Sequence, residues 1–362
     1  MAKRGRYQAA SIQKQVIHGS QEPEFQGGAT WAGLSDEMQL EDPYFYSYSH
    51  FGIHEEMIKD KVRTESYMNA IIQNPQLFRG KIVLDIGCGT GILSIFASRA
   101  GASHVFGIDA ADVAIQAQEI VNLNGYSDKI TIIRGKVEEV TLPVDKVDII
   151  ISEWMGYFLL YESMLETVIY ARDKWLNSDG LMFPDTAKMF LSAIEDADYK
   201  EKKVDFWDDV YGIDMSAIKP SVLAEPIVDY VESQYIMTNE YCLFSMDLKT
   251  VQNQQTELAA AYQLTATKND YCHALVAWFE VEFNHGSKQI KLSTSPQRKS
   301  THWKQTVFYL NDVLPMMSGE ELKGTLAIRK NPQHKRDLDI KISYHFDGAK
   351  HSYHDYRYYK LK

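Results

Sequence analysis

The first regular hydrophobic pattern of the chain follows a polar N-terminal stretch. Residues 1–41 contain glycine and polar residues without sustained periodicity, so we predict a flexible tail that carries the short basic element Arg4-Gly5-Arg6. From Glu55 to Gln73, apolar residues recur at helical spacing and stop before Asn74-Pro75. This pattern predicts one helix over Glu55–Gln73.

Short apolar segments then alternate with helical patterns. Strands are predicted for Lys81 to Ile86, Ser103 to Ile108, Ile130 to Ile133 and Val147 to Ser152. Helices are predicted for Ile92 to Ala100, Val113 to Asn122 and about Met164 to Trp175. Such alternation is typical of a parallel, doubly wound α/β sheet.

Beyond Phe183-Pro184 the alternation stops. From Glu240 onward, strands are predicted for Tyr241 to Leu248, Tyr262 to Thr267, Ala274 to Phe283, Gln289 to Ser293, Lys304 to Leu310, Leu322 to Arg329 and Asp337 to Phe346. An antiparallel β domain, either a sandwich or a barrel, is therefore expected after the α/β domain.

The predicted organisation thus has three parts. They are a tail at 1–41, an α/β domain at 42–183 and a β domain at 184–362. Between the two patterned regions, the aromatic-rich stretch Tyr199 to Lys219 is predicted to be a helical excursion, with bounds of about 197–220.

Composition narrows the class of protein further. The net charge is -11 and the pI is near 5.5, which argues against a general nucleic-acid binder and favours basic partners. The 3 cysteines lack a C-x-x-C pattern, so we expect neither disulfides nor a metal site. The N-terminus has no apolar signal region, and no segment reaches membrane-spanning length. We therefore expect a soluble protein that is not secreted.

A glycine-rich turn follows the first predicted α/β strand. The sequence Asp85-Ile86-Gly87-Cys88-Gly89-Thr90-Gly91 lies where doubly wound sheets bind nucleotides, and its glycines let the backbone approach a ligand closely. A dinucleotide fingerprint has the spacing G-x-G-x-x-G, whereas this turn has G-x-G-x-G. The carboxylate of Asp85 would repel a pyrophosphate and attract the ammonium and sulfonium of S-adenosylmethionine. Asp109 ends the next strand, at a position suited to hold ribose hydroxyls.

A second acidic segment leaves the carboxyl end of a central strand. The stretch 152–163, SEWMGYFLLYES, carries Glu153 and Glu162 among aromatic and apolar residues. Two carboxylates buried near each other are costly unless a cation joins them. A guanidinium is planar, permanently charged and able to meet carboxylates on two edges. The segment therefore predicts a guanidinium site.

This segment resembles the double-glutamate loop of the protein arginine methyltransferases, and the chain resembles that family from about Tyr44 to the C-terminus. The motifs that carry the resemblance are Tyr44-Phe45-x-x-Tyr48, 50–57 HFGIHEEM, the glycine-rich turn, 136–139 KVEE, the double-glutamate loop and Thr301-His302-Trp303. The resemblance is strongest to type I members. It implies a Rossmann-like S-adenosylmethionine methyltransferase domain, followed by an antiparallel β-barrel with an inserted helical dimerisation arm.

The resemblance also implies roles for individual residues. Arg63 would bind the methionine carboxylate, and Asp109, an aspartate where a glutamate is usual, would hold the ribose. The other implied cofactor residues are His54, Asp85, Gly87, Gly89, Val137, Glu138, Met164 and Thr167. Glu153 and Glu162 would hold the substrate guanidinium and His302 would pair with Asp60, these four forming the catalytic set. The substrate pocket would comprise Tyr44, Tyr48, Met57, Met155, Tyr157 and Trp303.

One of these groupings has independent support from spacing. Met57, Asp60 and Arg63 lie three residues apart, which puts them on one broad face of a helix.

The implied activity is transfer of methyl groups from S-adenosylmethionine to protein arginines, giving ω-monomethylarginine and asymmetric dimethylarginine. Expected substrates are Arg- and Gly-rich segments, RNA-binding proteins and histone tails, met in the nucleus and cytoplasm by a homodimer or higher oligomer. No direct binding to nucleic acid or membrane is expected. Two alternatives are a small-molecule methyltransferase, which has no need of two buried glutamates, and a silent arginine-binding adaptor, which has no need of the cofactor residues.

Overall fold

The computed structural model describes residue 48, residues 50–253 and residues 257–362 of the chain. The predicted tail at 1–41 and the predicted pocket residue Tyr44 lie outside these ranges. None of the helices within them is both long and apolar enough to cross a membrane.

Three helices precede the first sheet, and their arrangement corrects the sequence-based prediction. They are α1 (Phe51–Lys59), α2 (Lys61–Ile72) and α3 (Pro75–Phe78). The single helix predicted over Glu55–Gln73 is wrong, because Asp60 interrupts it with extended backbone (φ -67°, ψ 98°). Its carboxylate accepts a hydrogen bond from the Arg63 N–H at 3.0 Å, so Asp60 is the N-cap of α2. Met57 and Arg63 therefore lie on two different helices.

The α/β half contains a five-stranded parallel sheet in the order β3-β2-β1-β4-β5. Its strands are β1 (Ile82–Ile86), β2 (His104–Asp109), β3 (Ile130–Arg134), β4 (Val147–Ser152) and β5 (Leu176–Phe183). The helices between them are α4 (Ile92–Arg99), α5 (Val113–Leu123) and α6 (Leu165–Trp175). β5 escaped prediction because its polar beginning, Asn177-Ser178-Asp179-Gly180, resembles a turn.

From Thr186 onward the strands pair antiparallel in two sheets. One sheet has the order β7-β12-β10-β6-β8, with β11 beside β10, and the other has the order β15-β14-β13-β9. Their bounds are β6 (Thr186–Ile194), β7 (Ile227–Asp229), β8 (Tyr241–Asp247), β9 (Leu258–Thr265), β10 (Asp270–Phe283), β11 (Ile290–Ser293), β12 (Gln305–Met316), β13 (Glu321–Lys330), β14 (Leu338–Asp347) and β15 (Ser352–Leu361). The sheets adjoin where β8 lies beside β9 and where β12 lies beside β15. The predicted fold class, a Rossmann-like domain followed by an antiparallel β domain, is confirmed.

Three of these strands, β6, β7 and β15, were not predicted. β15 shows why a hydrophobic pattern is insufficient there. Tyr356 and Tyr358 are exposed, whereas Asp355 and Arg357 of the same strand turn toward Asn311 and are hydrogen bonded to it. Because the inward-facing positions of β15 include Asp355 and Arg357 and the outward-facing positions include Tyr356 and Tyr358, burial alternates along the strand but hydrophobicity does not.

The helical excursion forms between β6 and β7. It comprises α7 (Ala197–Lys203), two short 3-10 helices (Asp205–Asp208 and Ser216–Ile218) and α8 (Lys219–Leu223). Lys219, the first residue of α8, forms ion pairs with Asp205 and Asp208 of the first 3-10 helix at 2.9 and 2.8 Å. The excursion agrees with the predicted helical arm.

Side chains also join the two halves of the molecule. Arg172 of α6 is buried, and its guanidinium donates to the carbonyls of Leu248 and Val251, which follow β8. Tyr67 of α2 packs edge-on against Phe283 of β10. These contacts join α6 and α2 of the α/β half to the β domain.

Candidate active site

A cavity of about 570 Å³ opens at the carboxyl ends of β1, β2 and β4. It is the ligand position expected for a doubly wound sheet. The predicted site residues that line it are Tyr48, His54, Met57, Arg63, Gly87, Gly89, Asp109, Val137, Glu138, Glu153, Met155, Tyr157, Glu162, Met164, Thr167, His302 and Trp303. The predicted residues Asp60 and Asp85 do not line it.

The glycine-rich turn forms one end of the cavity. Gly87, Gly89 and Gly91 have φ values of 67°, 53° and 79°, in the left-handed region that favours glycine. A Cβ at Gly87 would lie 2.6 Å from the Met164 Cε, so that methionine side chain would have to shift to admit one. The backbone is thereby available for close approach by a ligand.

Asp109 occupies the end of β2 beside this turn. Its two carboxylate oxygens accept hydrogen bonds from the Gly89 N–H at 2.8 Å and the Ala111 N–H at 2.9 Å. Burial raises the pKa of Asp109 above its ordinary value. Each oxygen keeps a further lone pair, so the carboxylate is fixed in place and still able to accept from ligand hydroxyls.

Glu138 also lines the cavity, and its carboxylate accepts from the Thr167 hydroxyl at 2.8 Å. The buried Val137 supplies an apolar wall next to it. A carboxylate for ribose hydroxyls, a side-chain-free turn and an apolar wall with an acceptor together fit the ribose and adenine of a nucleoside ligand.

Asp85 has a different position from the one expected. Its side chain is 0% exposed, and its Oδ2 accepts a hydrogen bond from the Ser94 hydroxyl at 2.7 Å. Its Oδ1 has no hydrogen-bond partner among the described residues. Burial raises the pKa of Asp85 to about 7. The sequence predicted that Asp85 would attract a ligand cation directly, but Asp85 does not line the cavity. Its carboxylate contacts the Ser94 hydroxyl of α4 instead.

The double-glutamate loop leaves β4 and has an unusual backbone. Phe158, Leu159 and Glu162 have positive φ values of 50°, 61° and 50°. A Cβ at Gly156 would lie 1.5 Å from the Tyr161 carbonyl oxygen, so only glycine fits. The Glu162 N–H donates to the Arg336 carbonyl at 3.0 Å, which ties the loop to the turn after β13. Such strain is typical of functional loops.

Glu153 and Arg63 form a buried ion pair. The Arg63 Nε donates to the Glu153 Oε2 at 2.8 Å, and the two side chains are 9% and 7% exposed. Arg63 also donates from Nη1 to the Met57 carbonyl at 3.4 Å. Since a guanidinium carries five N–H donors, these contacts leave donors for a further carboxylate, such as that of methionine.

Glu162 is the second carboxylate at this end of the cavity. It is half-buried, and burial raises its pKa above the ordinary value. An incoming cation relieves such a cost, because a nearby positive charge favours the ionised form. Glu153 and Glu162 therefore form an acidic region bordered by apolar side chains.

Asp60 performs two tasks although it does not line the cavity. Its Oδ2 accepts from the His302 backbone N–H at 2.9 Å and lies 2.7 Å from the His302 Nδ1. Burial alone would raise the pKa of Asp60, but hydrogen bonds from His302 and the Arg63 N–H hold it below its ordinary value. The carboxylate thus caps α2 and orients the His302 ring, with the Nε2 of His302 left as the acceptor.

Two contributions to this region were missed by the sequence reasoning. The end of β13 and the turn after it add Lys330, Lys335 and Arg336 to the lining, and no sequence pattern links them to the double-glutamate loop. Tyr67 donates to the Ser152 carbonyl at 2.9 Å, directly before Glu153. Tyr67 lies four residues after Arg63, a helical spacing that was an available signal.

Comparisons with known proteins identify relatives of both halves. Residues 67–172 match the family model described as "Ribosomal protein L11 methyltransferase (PrmA)", and residues 185–349 match "Arginine methyltransferase oligomerization subdomain". The α/β fold and its nucleoside-shaped cavity are thus those of a methyltransferase.

Full-length relatives then define the family. Protein arginine N-methyltransferase 1 of Chlamydomonas reinhardtii is 55% identical over 89% of this chain and 93% of its own length. The protein of the same name from Schizosaccharomyces pombe is 54% identical over 88% of this chain and 94% of its own length. The chain belongs to the protein arginine N-methyltransferase family.

Solved structures agree with this assignment. The Trypanosoma brucei PRMT1 enzyme-prozyme heterotetrameric complex with AdoHcy has a TM-score of 0.86, with 48% identity over 87% of this chain and 100% of that chain. Arabidopsis thaliana protein arginine methyltransferase 10 has a TM-score of 0.81, with 30% identity over 88% of this chain and 100% of that chain.

The buried position of Asp85 generates a prediction about pH. Its pKa rises from the ordinary value of 3.8 to about 7 on folding, so the folded state keeps a proton that the unfolded state loses. The contribution of Asp85 to the free energy of unfolding of the ligand-free protein should therefore fall, by of the order of 1 to 4 kcal/mol, as the pH rises from about 4 to 7. Asp85→Asn should lack this component.

Urea unfolding at pH 5 to 8 measures the effect. The stability difference between Asp85→Asn and wild type should shift in favour of the variant with increasing pH. Asp112→Asn, which changes an exposed carboxylate paired with Arg134, is the control and should show no such shift. Parallel stability curves for wild type and Asp85→Asn would disprove the assignment.

Proposed function

We propose that this enzyme is a type I protein arginine methyltransferase, which produces ω-monomethylarginine and then asymmetric dimethylarginine. The observation that carries the proposal is the convergence of Glu153 and Glu162 in one cavity with Met57 and Met155. Two carboxylates can bind the two edges of a guanidinium. The two unbranched methionine side chains can move to make room for a methyl group beside it.

The methyl donor is S-adenosylmethionine, which supplies an electrophilic methyl group on a sulfonium. Asp109 would accept from its ribose hydroxyls, and Val137 and Glu138 would meet its adenine. Arg63 would bind its carboxylate with the donors that the Glu153 pair leaves free. The similar trypanosome complex was solved with AdoHcy, which supports a ligand of this class in the cavity.

Glu153 and Glu162 would grip the substrate guanidinium on two edges and fix its plane. Correct alignment of reacting groups contributes roughly 7 to 11 kcal/mol to barrier lowering in favourable cases. The carboxylates also draw positive charge toward the nitrogens they contact, so the attacking nitrogen keeps more electron density. The proposed role of this chain in methyl transfer is therefore to position the guanidinium and to stabilise its charge.

The proton lost from the attacking nitrogen has two candidate acceptors. Glu162 has a pKa raised by burial, which makes it a better base than an exposed glutamate. His302 offers its Nε2, since Asp60 engages its Nδ1. The two acceptors lie on opposite halves of the chain, one on the loop after β4 and one before β12.

The proposed substrates are Arg- and Gly-rich segments, including those of RNA-binding proteins and histone tails, and the proposed location is the nucleus and cytoplasm. The net charge of -11 supports encounter with such basic chains. Glycine next to the target arginine gives a narrow chain that can enter the partly enclosed cavity.

The identity of the product tests the type I proposal. With a glycine-flanked arginine peptide in excess cofactor, the enzyme should yield asymmetric dimethylarginine, with both methyl groups on one nitrogen. Met57→Phe should lower this product and let some symmetric isomer appear at a reduced rate, because the rigid ring overpacks the pocket. Mass spectrometry distinguishes the isomers by their neutral losses. Symmetric product from the wild type, or arrest at monomethylarginine, would contradict the proposal.

We also propose a homodimer in which the arm at about 197–220 contacts the partner. Phe206, Tyr211, Ile213 and Ile218 of this arm are 49%, 100%, 57% and 40% exposed, whereas Trp207 is only partly so. Exposed apolar side chains clustered on one short segment are typical of an interaction surface. The family model for residues 185–349, named for oligomerisation, supports the same proposal.

Replacing residues 205–218 with a short Gly-Ser linker tests the dimer. Light scattering should show that this variant is a monomer, and a methylation assay should show little activity. Its circular dichroism spectrum should remain near that of the wild type. Tyr356→Ser, which removes another exposed tyrosine outside the arm, is the control and should remain dimeric. An active dimer lacking the arm would refute the proposal.

A further inference from the structure

Tyr67 is a buried tyrosine at the base of the double-glutamate loop. It is 0% exposed in α2, and its hydroxyl donates to the Ser152 carbonyl at 2.9 Å. The same hydroxyl lies 3.8 Å from the Met155 Sδ. One polar atom therefore contacts the residue immediately before Glu153 and the methionine two residues after it.

The ring of Tyr67 is itself held in place. Phe283 of β10 packs edge-on against it, with ring centroids 4.9 Å apart. The hydroxyl of Ser152 donates to the Ile86 carbonyl at 2.9 Å, next to the glycine-rich turn. Tyr67 thus packs against the β domain and contacts the carboxyl end of β4. That strand end lies between the glycine-rich turn and the double-glutamate loop.

Met155 is fixed from two directions. Its carbonyl accepts from the Trp303 Nε1 at 3.0 Å, and its thioether faces the Tyr67 hydroxyl. Met155 is only 6% exposed, so its position depends on these neighbours. The adaptable character of a methionine is here restricted by a tyrosine on one side and a tryptophan on the other.

We propose that Tyr67 is a positioning residue that determines how far methylation proceeds, because its hydroxyl is hydrogen bonded to the start of the double-glutamate loop and lies against the thioether of Met155. The inference rests on the proposed transfer of two methyl groups. The second transfer must align a nitrogen that already carries a methyl group, so it tolerates less displacement of Glu153 and Met155 than the first. Loss of the hydroxyl should therefore impair the second transfer more than the first.

Tyr67→Phe removes only the hydroxyl and keeps the ring against Phe283. With an arginine peptide and excess S-adenosylmethionine, we expect kcat to fall about threefold to tenfold. The ratio of monomethylarginine to dimethylarginine at equal turnover should rise at least about threefold, the range expected when one buried hydrogen bond is lost. The dissociation constant of S-adenosylhomocysteine should stay within about twofold of wild type, since Tyr67 does not line the cavity.

Tyr262→Phe is a matched control. Tyr262 is 3% exposed in β9, and its hydroxyl also donates to a serine carbonyl, that of Ser343, at 2.9 Å. The control should lose comparable thermal stability and keep the wild-type product ratio. Equal product ratios in Tyr67→Phe and Tyr262→Phe would overturn the proposal, because the effect of the hydroxyl would then be structural only.

Met155→Leu provides a second route if Tyr67→Phe does not fold. It removes the sulfur that faces the hydroxyl while Tyr67 remains, and the monomethyl share should again rise. An unchanged share in this variant would also overturn the proposal. Failure of the proposed function has a separate signature, since the wild type would then form no dimethylarginine with any arginine peptide.

Discussion

The buried ion pair between Arg63 and Glu153 is the constraint on which the site depends. A charge removed from water must be paired, and loss of one partner of such a pair is strongly destabilising. Here the pair joins α2 to the loop after β4, because the Arg63 Nε lies 2.8 Å from the Glu153 Oε2. The helix can therefore not move without moving the acidic loop. Under the proposed function, a substrate guanidinium would meet a carboxylate whose orientation is already set.

The surroundings of this pair come from distant parts of the chain. Asp60 caps α2 through the Arg63 N–H and holds His302, which lies 242 residues away. Trp303, next to His302, donates to the Met155 carbonyl. The parallel sheet supplies the nucleoside end of the cavity, and the β domain supplies the groups that close the guanidinium end. The β domain thus lines the cavity through His302 and Trp303 as well as matching an oligomerisation subdomain.

Local patterns were sufficient for much of the fold and the site. The alternation of apolar segments predicted β1 to β4, and the acidic loop between Ser152 and Ser163 predicted a guanidinium site from burial cost alone. The break at Asp60 was not predictable from periodicity, because apolar residues continue across it. Asp60 caps α2 locally through the Arg63 N–H and is also hydrogen bonded to the distant His302. The depth of Asp85 depends on packing against Ser94, and β15 places Asp355 and Arg357 on the same face as the buried Tyr359. These misses come from packing and hydrogen-bond partners that hydrophobic periodicity does not report, whereas β5 was missed because its polar beginning resembles a turn.

The most direct test of the guanidinium clamp is the rate of methyl transfer by Glu162→Gln. Glu162 is a cleaner target than Glu153, because Glu153→Gln would also leave the buried Arg63 unpaired. With labelled S-adenosylmethionine, the wild type should label an Arg-Gly-Gly peptide and leave its Lys-Gly-Gly counterpart unlabelled. Glu162→Gln should lose about two to four decades in rate, with the fold and cofactor affinity nearly intact. Glu166→Gln, which lines the same cavity but pairs with Lys330, should keep near-normal rates. A near-normal rate for Glu162→Gln, or equal labelling of the lysine peptide, would contradict the clamp.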